Sequence, residues 1–160
     1  MKKTVVMTLL ASVAIIAGGN VAPTLPKVAK ISKPCNHDTT FVDTKTDLMW
    51  QDAHYTPKED GAFKNNRSFG KAGTLAHAVN YCRRLNYAGY SDWRLPTKDE
   101  LMEVHRISGE VFVNHRDSDF WSITPAFGRK NYVVYPVDAY PYERTRRQSN
   151  YIRCVRCNAQ

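Results

Sequence analysis

Cys154-Val155-Arg156-Cys157, with Cys35 and Cys82 upstream, gives the 160-residue chain an even set of four thiols. Their state depends on where the chain goes, since thiols pair in oxidising compartments and stay reduced in the cytosol. Met1-Lys2-Lys3 is a charged start, Val5 to Ala17 an apolar stretch, and small residues follow to Gly19 or Ala22. That is the pattern of a secretory signal peptide over residues 1–22, cleaved near Gly19 or Ala22. The apolar stretch is shorter than the roughly 20 residues of a membrane-spanning helix, so no stable membrane insertion is expected after cleavage. Export, to a bacterial periplasm or the cell exterior, is the expectation, and with it two disulfide bonds.

Three pairings of four cysteines are possible. A redox C-x-x-C normally opens a helix, where the N-terminus lowers a thiol pKa. Here the motif follows Tyr151-Ile152-Arg153, which reads as a strand. Alternation along a strand sends Cys154 and Cys157 to opposite faces and toward separate partners. Cys82–Cys154 and Cys35–Cys157 are the expected bridges.

The composition, 42% hydrophobic and 24% charged, fits one folded domain and excludes wholesale disorder. Neither a glycine period nor a heptad is present. Cleavage removes Lys2 and Lys3 and no acid, so the formal charge falls from +8 to +6. Residues 23–38, with Pro23, Pro26 and Pro34, read as an extended leader, and residues 39–160 as the domain.

Thr40-Phe41-Val42 and Leu48-Met49-Trp50 flank a turn-rich pentapeptide and predict a hairpin. Residues 56–73, punctuated by Pro57, Gly61, Gly70 and Gly73, predict an exposed loop with solvated lysines and a solvated Arg67. From Thr74, Leu75, Ala78, Val79, Cys82 and Leu85 recur at helical spacing, placing Cys82 on a buried stripe. Thr97 and Glu100 form a capping box for a second helix carrying Leu101 and Val104, with His105 at the surface or partly packed. Strands are expected at Phe120–Ile123, Tyr132–Val137 and Tyr151–Val155, with Pro141 and Asn150 in turns. Together these elements predict an α+β fold, disulfide-stapled, with a mainly antiparallel sheet and two flanking helices.

In order and spacing, Phe41 to Gln51, Tyr81-Cys82, Ser91-Asp92-Trp93-Arg94-Leu95-Pro96-Thr97-Lys98-Asp99-Glu100-Leu101, Phe120-Trp121-Ser122 and Arg153-Cys154-Val155-Arg156 resemble the Lcl C-terminal domain family over residues 39–156. The resemblance implies a C-type-lectin-like fold, related to that of formylglycine-generating enzymes, in which N- and C-terminal strands meet and a long loop region displays a binding surface. It agrees with a Cys82–Cys154 bond. Asp47 departs from the glycine often found in the family's hairpin turn, and the sequence has no collagen repeats through which to trimerise. Trp50, Trp93 and Trp121 are expected in the core, Arg94 in a bidentate pair with a carboxylate, and Pro96 ahead of the capped helix.

No nucleophile with an adjacent base, no H-E-x-x-H, no phosphate loop and no dinucleotide fingerprint is legible. The five histidines are dispersed. The expectation is therefore a non-catalytic protein without cofactor or metal. What remains is a basic, aromatic stretch, Tyr140, Tyr142, Arg144, Arg146 and Arg147, with Arg129 and Lys130 upstream. Arginine forks suit sulfate and carboxylate, and tyrosine rings suit sugar faces. The leading expectation is a lectin-like module for an anionic glycan or surface polymer, with an adhesion-type role and no nucleic acid partner; an oligomer is possible. The alternative is a structural or partner-binding subunit of a cell-surface assembly such as a pilus or secretion apparatus. A thiol or copper enzyme using Cys154 and Cys157 is the third.

Overall fold

The computed structural model describes residues 38–158. The expected signal peptide, the expected leader up to His37 and Cys35 lie outside the described residues. Eight strands and three helices follow in order: β1 (Thr40–Asp43), β2 (Leu48–Gln51), α1 (Pro57–Lys64), β3 (Ala72–Gly73), α2 (Leu75–Arg84), α3 (Lys98–His105), β4 (Phe120–Pro125), β5 (Lys130–Tyr135), β6 (Tyr140–Thr145), β7 (Asn150–Tyr151) and β8 (Val155–Cys157). They form a three-stranded sheet, β1-β2-β8, and a five-stranded sheet, β3-β7-β4-β5-β6, in which only β4 and β7 run parallel. The fold is α+β and mainly antiparallel, as expected, and the first and last strands share a sheet.

The β1–β2 hairpin turns where the sequence places it. Asp43 accepts from the Lys45 amide at 3.0 Å and the Thr46 hydroxyl at 2.5 Å. Asp47 adopts φ 53°, a left-handed conformation that aspartate tolerates better than most residues. Helix α2 carries the expected stripe, with Ala78 and Cys82 buried. Helix α3 starts at the Thr97/Glu100 capping box.

Several expectations are corrected. Residues 56–73 are not all loop, because Thr56, Pro57 and Glu59 build a capping box with proline in the first turn of α1, and only the stretch after Lys64 is irregular up to β3. The flanking helices therefore number three rather than two. The loop's cations are not all solvated either. Lys71 is buried, and its Nζ lies 2.8 Å from Glu59 Oε1, which also accepts the Lys71 amide at 2.8 Å. Burial alone would raise the Glu59 carboxyl, but Lys71 and the Thr56 and Lys71 amides outweigh it and hold the group below its usual range. Gly70, at φ +52°, is needed there because a Cβ would strike the Glu59 carboxylate.

The expected strand Tyr151–Val155 is split between the two sheets: β7 ends at Tyr151 and β8 starts at Val155. Pro141 is not in a turn but in β6, paired with Val134. Proline is tolerated there because β6 is the sheet edge, where one row of amides has no strand to meet.

Strands β4 and β5 divide the core. Phe120 and Val134 face one cluster with Leu101, Val104, Phe112 and Tyr151. Trp121 and Val133 face the other, with Ala78, Trp93, Ile152 and the Cys82–Cys154 disulfide. Cys154 is thus bonded as expected, while Cys157 is exposed and bonds no other described cysteine.

Candidate functional site

The hairpin between β4 and β5 closes with the Ala126 amide donating to the Lys130 carbonyl at 3.1 Å and with Gly128 at φ 68°. Phe127 at its tip is 89% exposed. The Arg129 carbonyl accepts from the Arg146 amide at 3.4 Å, and the Arg146 carbonyl accepts from the Leu75 amide at 3.1 Å. These two bonds tie the segment after β6 to the hairpin on one side and to the start of α2 on the other. Arg146 Nε donates to Asn131 Oδ1 at 2.9 Å, and the Asn131 amide in turn donates to the Ile123 carbonyl at 3.0 Å. One guanidinium is thereby fixed from the sheet interior. Arg147 is exposed beside it. Neither Arg129 nor Arg147 pairs with a carboxylate among the described residues. Lys130 does, reaching Glu143 at 3.2 Å.

Along β6 the alternate residues Tyr140, Tyr142 and Arg144 share one face. The two tyrosine rings lie 5.0 Å apart, and the Arg144 guanidinium sits 5.4 Å from the Tyr142 ring centre. Arg144 also pairs with Asp119 at 2.6 Å. Burial raises the Asp119 carboxyl, and Arg144 offsets that only in part. Asp138 accepts from the Tyr140 amide at 2.9 Å and the Tyr142 hydroxyl at 3.4 Å. Arg144 is therefore committed to an acid of its own domain. Tyr140 and Arg146 stand six residues apart, about 20 Å along an extended strand. The residues expected to form one surface separate into an aromatic, charge-compensated end and a basic end, and the basic end contains Phe127, which sequence reasoning passed over.

The family-like string before α3 is scaffold. Glu100 Oε2 accepts from the Thr97 amide at 2.8 Å and from Arg94 Nη1 at 2.8 Å, while Oε1 accepts from Arg94 Nη2 at 2.6 Å. One carboxylate thus closes the cap and holds the arginine in the bidentate pair expected of it. Trp93 Nε1 donates to the Tyr87 and Tyr90 carbonyls at 3.2 and 3.1 Å, and Trp121 Nε1 to the Gly73 carbonyl at 2.7 Å. Trp50 is fully buried, and Pro96 is buried.

His105 is partly packed, as expected. Its ring packs against Phe112 and Phe120, at 5.6 and 6.2 Å between centroids, and its Nε2 is buried without a partner. Burial first, then the nearby Arg153 charge, pushes its pKa down to about 3. In the unfolded chain a histidine takes up its proton near pH 6.5. Between those values the unfolded state holds the extra proton, so stability is complete above about pH 6.5 and declines as the pH falls toward 3. Moving from pH 7 to pH 5 should cost about 1–2 kcal/mol through this residue. His105→Leu should flatten that part of the profile in urea titrations at the two pH values; an unchanged difference would refute the assignment.

Among the described residues, no group of three histidine, cysteine or acidic side chains is placed to hold a metal ion. With Cys154 bonded to Cys82, Cys154 and Cys157 do not form a dithiol pair. Residues 39–156 match the family model described as the Lcl C-terminal domain. No curated protein matches the chain.

Proposed function

The chain belongs to the Lcl C-terminal domain family, and from that premise we propose that it is an exported, non-catalytic, C-type-lectin-like module that binds an anionic glycan or surface polymer through Phe127, Arg129, Arg146 and Arg147. The observation that carries this reading is the convergence of three arginines from two separate loops beside an 89% exposed phenylalanine. Such a surface offers guanidinium forks for sulfate or carboxylate groups and an aromatic face for the apolar side of a sugar ring. None of the three arginines pairs with an acid among the described residues, so binding a polyanion breaks no ion pair seen there. The joining of first and last strands in one sheet, with helices against the other, agrees with a lectin-like arrangement.

The test is retention of the oxidised protein on immobilised heparin, with elution by salt. Wild-type protein should be retained. At about 0.5 kcal/mol for each exposed charge contact, the triple variant Arg129→Ala/Arg146→Ala/Arg147→Ala should bind about tenfold more weakly. Arg144→Ala should change little. Equal retention of the triple variant, or none of the wild type, would overturn the proposal.

A further inference from the structure

Beyond the hairpin surface, one flank of α2 carries a second feature. Leu75, Val79 and Arg83 follow at four-residue intervals and so line up along the helix, spanning about 12 Å. Two recesses meet at Val79. The first lies between the start of α2 and Arg146 and Arg147; the second lies between α2 and Leu95, Ile123 and Arg94. Val79 lines both, so the two recesses adjoin along α2 as a trough with a largely apolar floor, Arg146 and Arg147 at one end and Arg83 and Arg94 at the other. Its lining contains four arginines and no carboxylate side chain. Ile123 is 42% exposed although it belongs to a core-forming strand.

We infer that this trough docks an extended, acidic segment of a partner protein, one with apolar side chains between carboxylates. Charge complementarity selects the acids: among the described residues Arg83, Arg146 and Arg147 pair with no carboxylate, Arg94 is held by Glu100, and Arg83 donates to the neutral Asn80 side chain at 3.0 Å. The floor selects a peptide over a polysaccharide, because Leu75, Val79, Leu95 and Ile123 gain nothing from a hydroxylated, sulfated chain and gain from burying aliphatic or aromatic groups. A 12 Å trough accommodates about four extended residues, so the carboxylates belong on either side of a two-residue apolar centre. The trough shares Arg146 and Arg147 with the proposed glycan surface, whereas Phe127 and Arg129 lie outside its lining, so variants at those two positions separate the two readings.

The probe is a fluorescent hexapeptide with two glutamates, leucine, phenylalanine and two aspartates, compared by anisotropy with a peptide of equal charge whose two central residues are serine. The apolar peptide should bind at least about tenfold more tightly than the serine peptide. Arg83→Glu, at an exposed position, should weaken it by about tenfold, and Val79→Asp by more. Phe127→Ser/Arg129→Ala should leave it unchanged while reducing heparin retention, so the two surfaces fail or succeed separately. Equal binding of the two peptides, or undiminished binding by a folded Arg83→Glu protein, overturns the inference. So does sedimentation showing that Arg83→Glu dissociates a self-associated form that buries it.

Discussion

Asp52→Ala is expected to lower the unfolding free energy by about 3–5 kcal/mol, the cost of leaving a buried charge without its partner. Asp52 is 1% exposed and collects three donors: the Val113 amide on Oδ2 at 2.8 Å, the Asn114 amide on Oδ1 at 2.9 Å, and Arg153 Nη1 on Oδ1 at 3.4 Å. Arg153 is itself 1% exposed, its guanidinium carbon 3.6 Å from the Phe112 ring centre and its Nη2 donating to the Asn114 carbonyl at 2.5 Å. Removing the carboxylate strands a cation and two amides at once. Domains of this size are stable by about 5–15 kcal/mol in all, so the variant should unfold at much lower urea, or fail to accumulate. Arg153→Met leaves Asp52 with its two amides and should cost less. The double variant should recover part of the loss, because an apolar side chain against Phe112 and Phe120 replaces the stranded charge. Urea midpoints for the three proteins check this; an Asp52→Ala loss within 1 kcal/mol would refute it.

That network shows where local reading reaches its end. Asp52 and Arg153 are 101 residues apart, and neither has a neighbour in sequence that announces the other. The β1–β2 hairpin, α2 and α3 were legible because their signals are local: an Asp/Thr turn, an apolar stripe, a capping box. Helix α1 offered a capping box too, at Thr56 and Glu59, but it has no strong apolar stripe. Only Glu59 and Ala62 are buried along it, and one of the two is an acid held by Lys71. Glycines and a proline in a polar stretch then suggested a loop. Residues 151–156 failed for a different reason. All six are buried, so alternation vanishes, and a change of sheet between Tyr151 and Val155 leaves no mark in the sequence.

The candidate surface was legible as composition but not as geometry. Arg144 and Arg146 look equivalent in the sequence, and their difference is set by Asp119, 25 residues upstream of Arg144, and by Asn131 on the neighbouring strand. Phe127 carried no periodic signal, since exposure at a hairpin tip depends on the two strands that hold it out. The trough along α2 needs residues from the helix, the segment after β6 and the loop before α3. No single stretch of sequence carries those parts.

Reduction of Cys82–Cys154 should have an effect of similar size to loss of Asp52, by a different route. Both sulfurs belong to residues with no solvent exposure, and the bond spans a sequence separation of 72. Closing a loop of that length restricts the unfolded chain by about 4 kcal/mol in the chain-entropy account. In the folded state the bond fastens α2 to the segment between the two sheets. For a domain of about 120 residues, 4 kcal/mol corresponds to a fall in Tm of about 15 °C. Thermal melts with and without dithiothreitol should show that fall in wild-type protein. Cys82→Ala/Cys154→Ala should begin at the lower Tm and ignore the reductant. Peptide mapping without reduction separates the second bridge from the first: a Cys35–Cys157 peptide would add its own contribution to the reductant effect, whereas alkylated Cys157 would leave the whole effect to Cys82–Cys154. A wild-type Tm that moves by less than about 5 °C on full reduction would mean that packing around Trp121 and Ile152, rather than the covalent bond, holds α2 to the junction of the sheets.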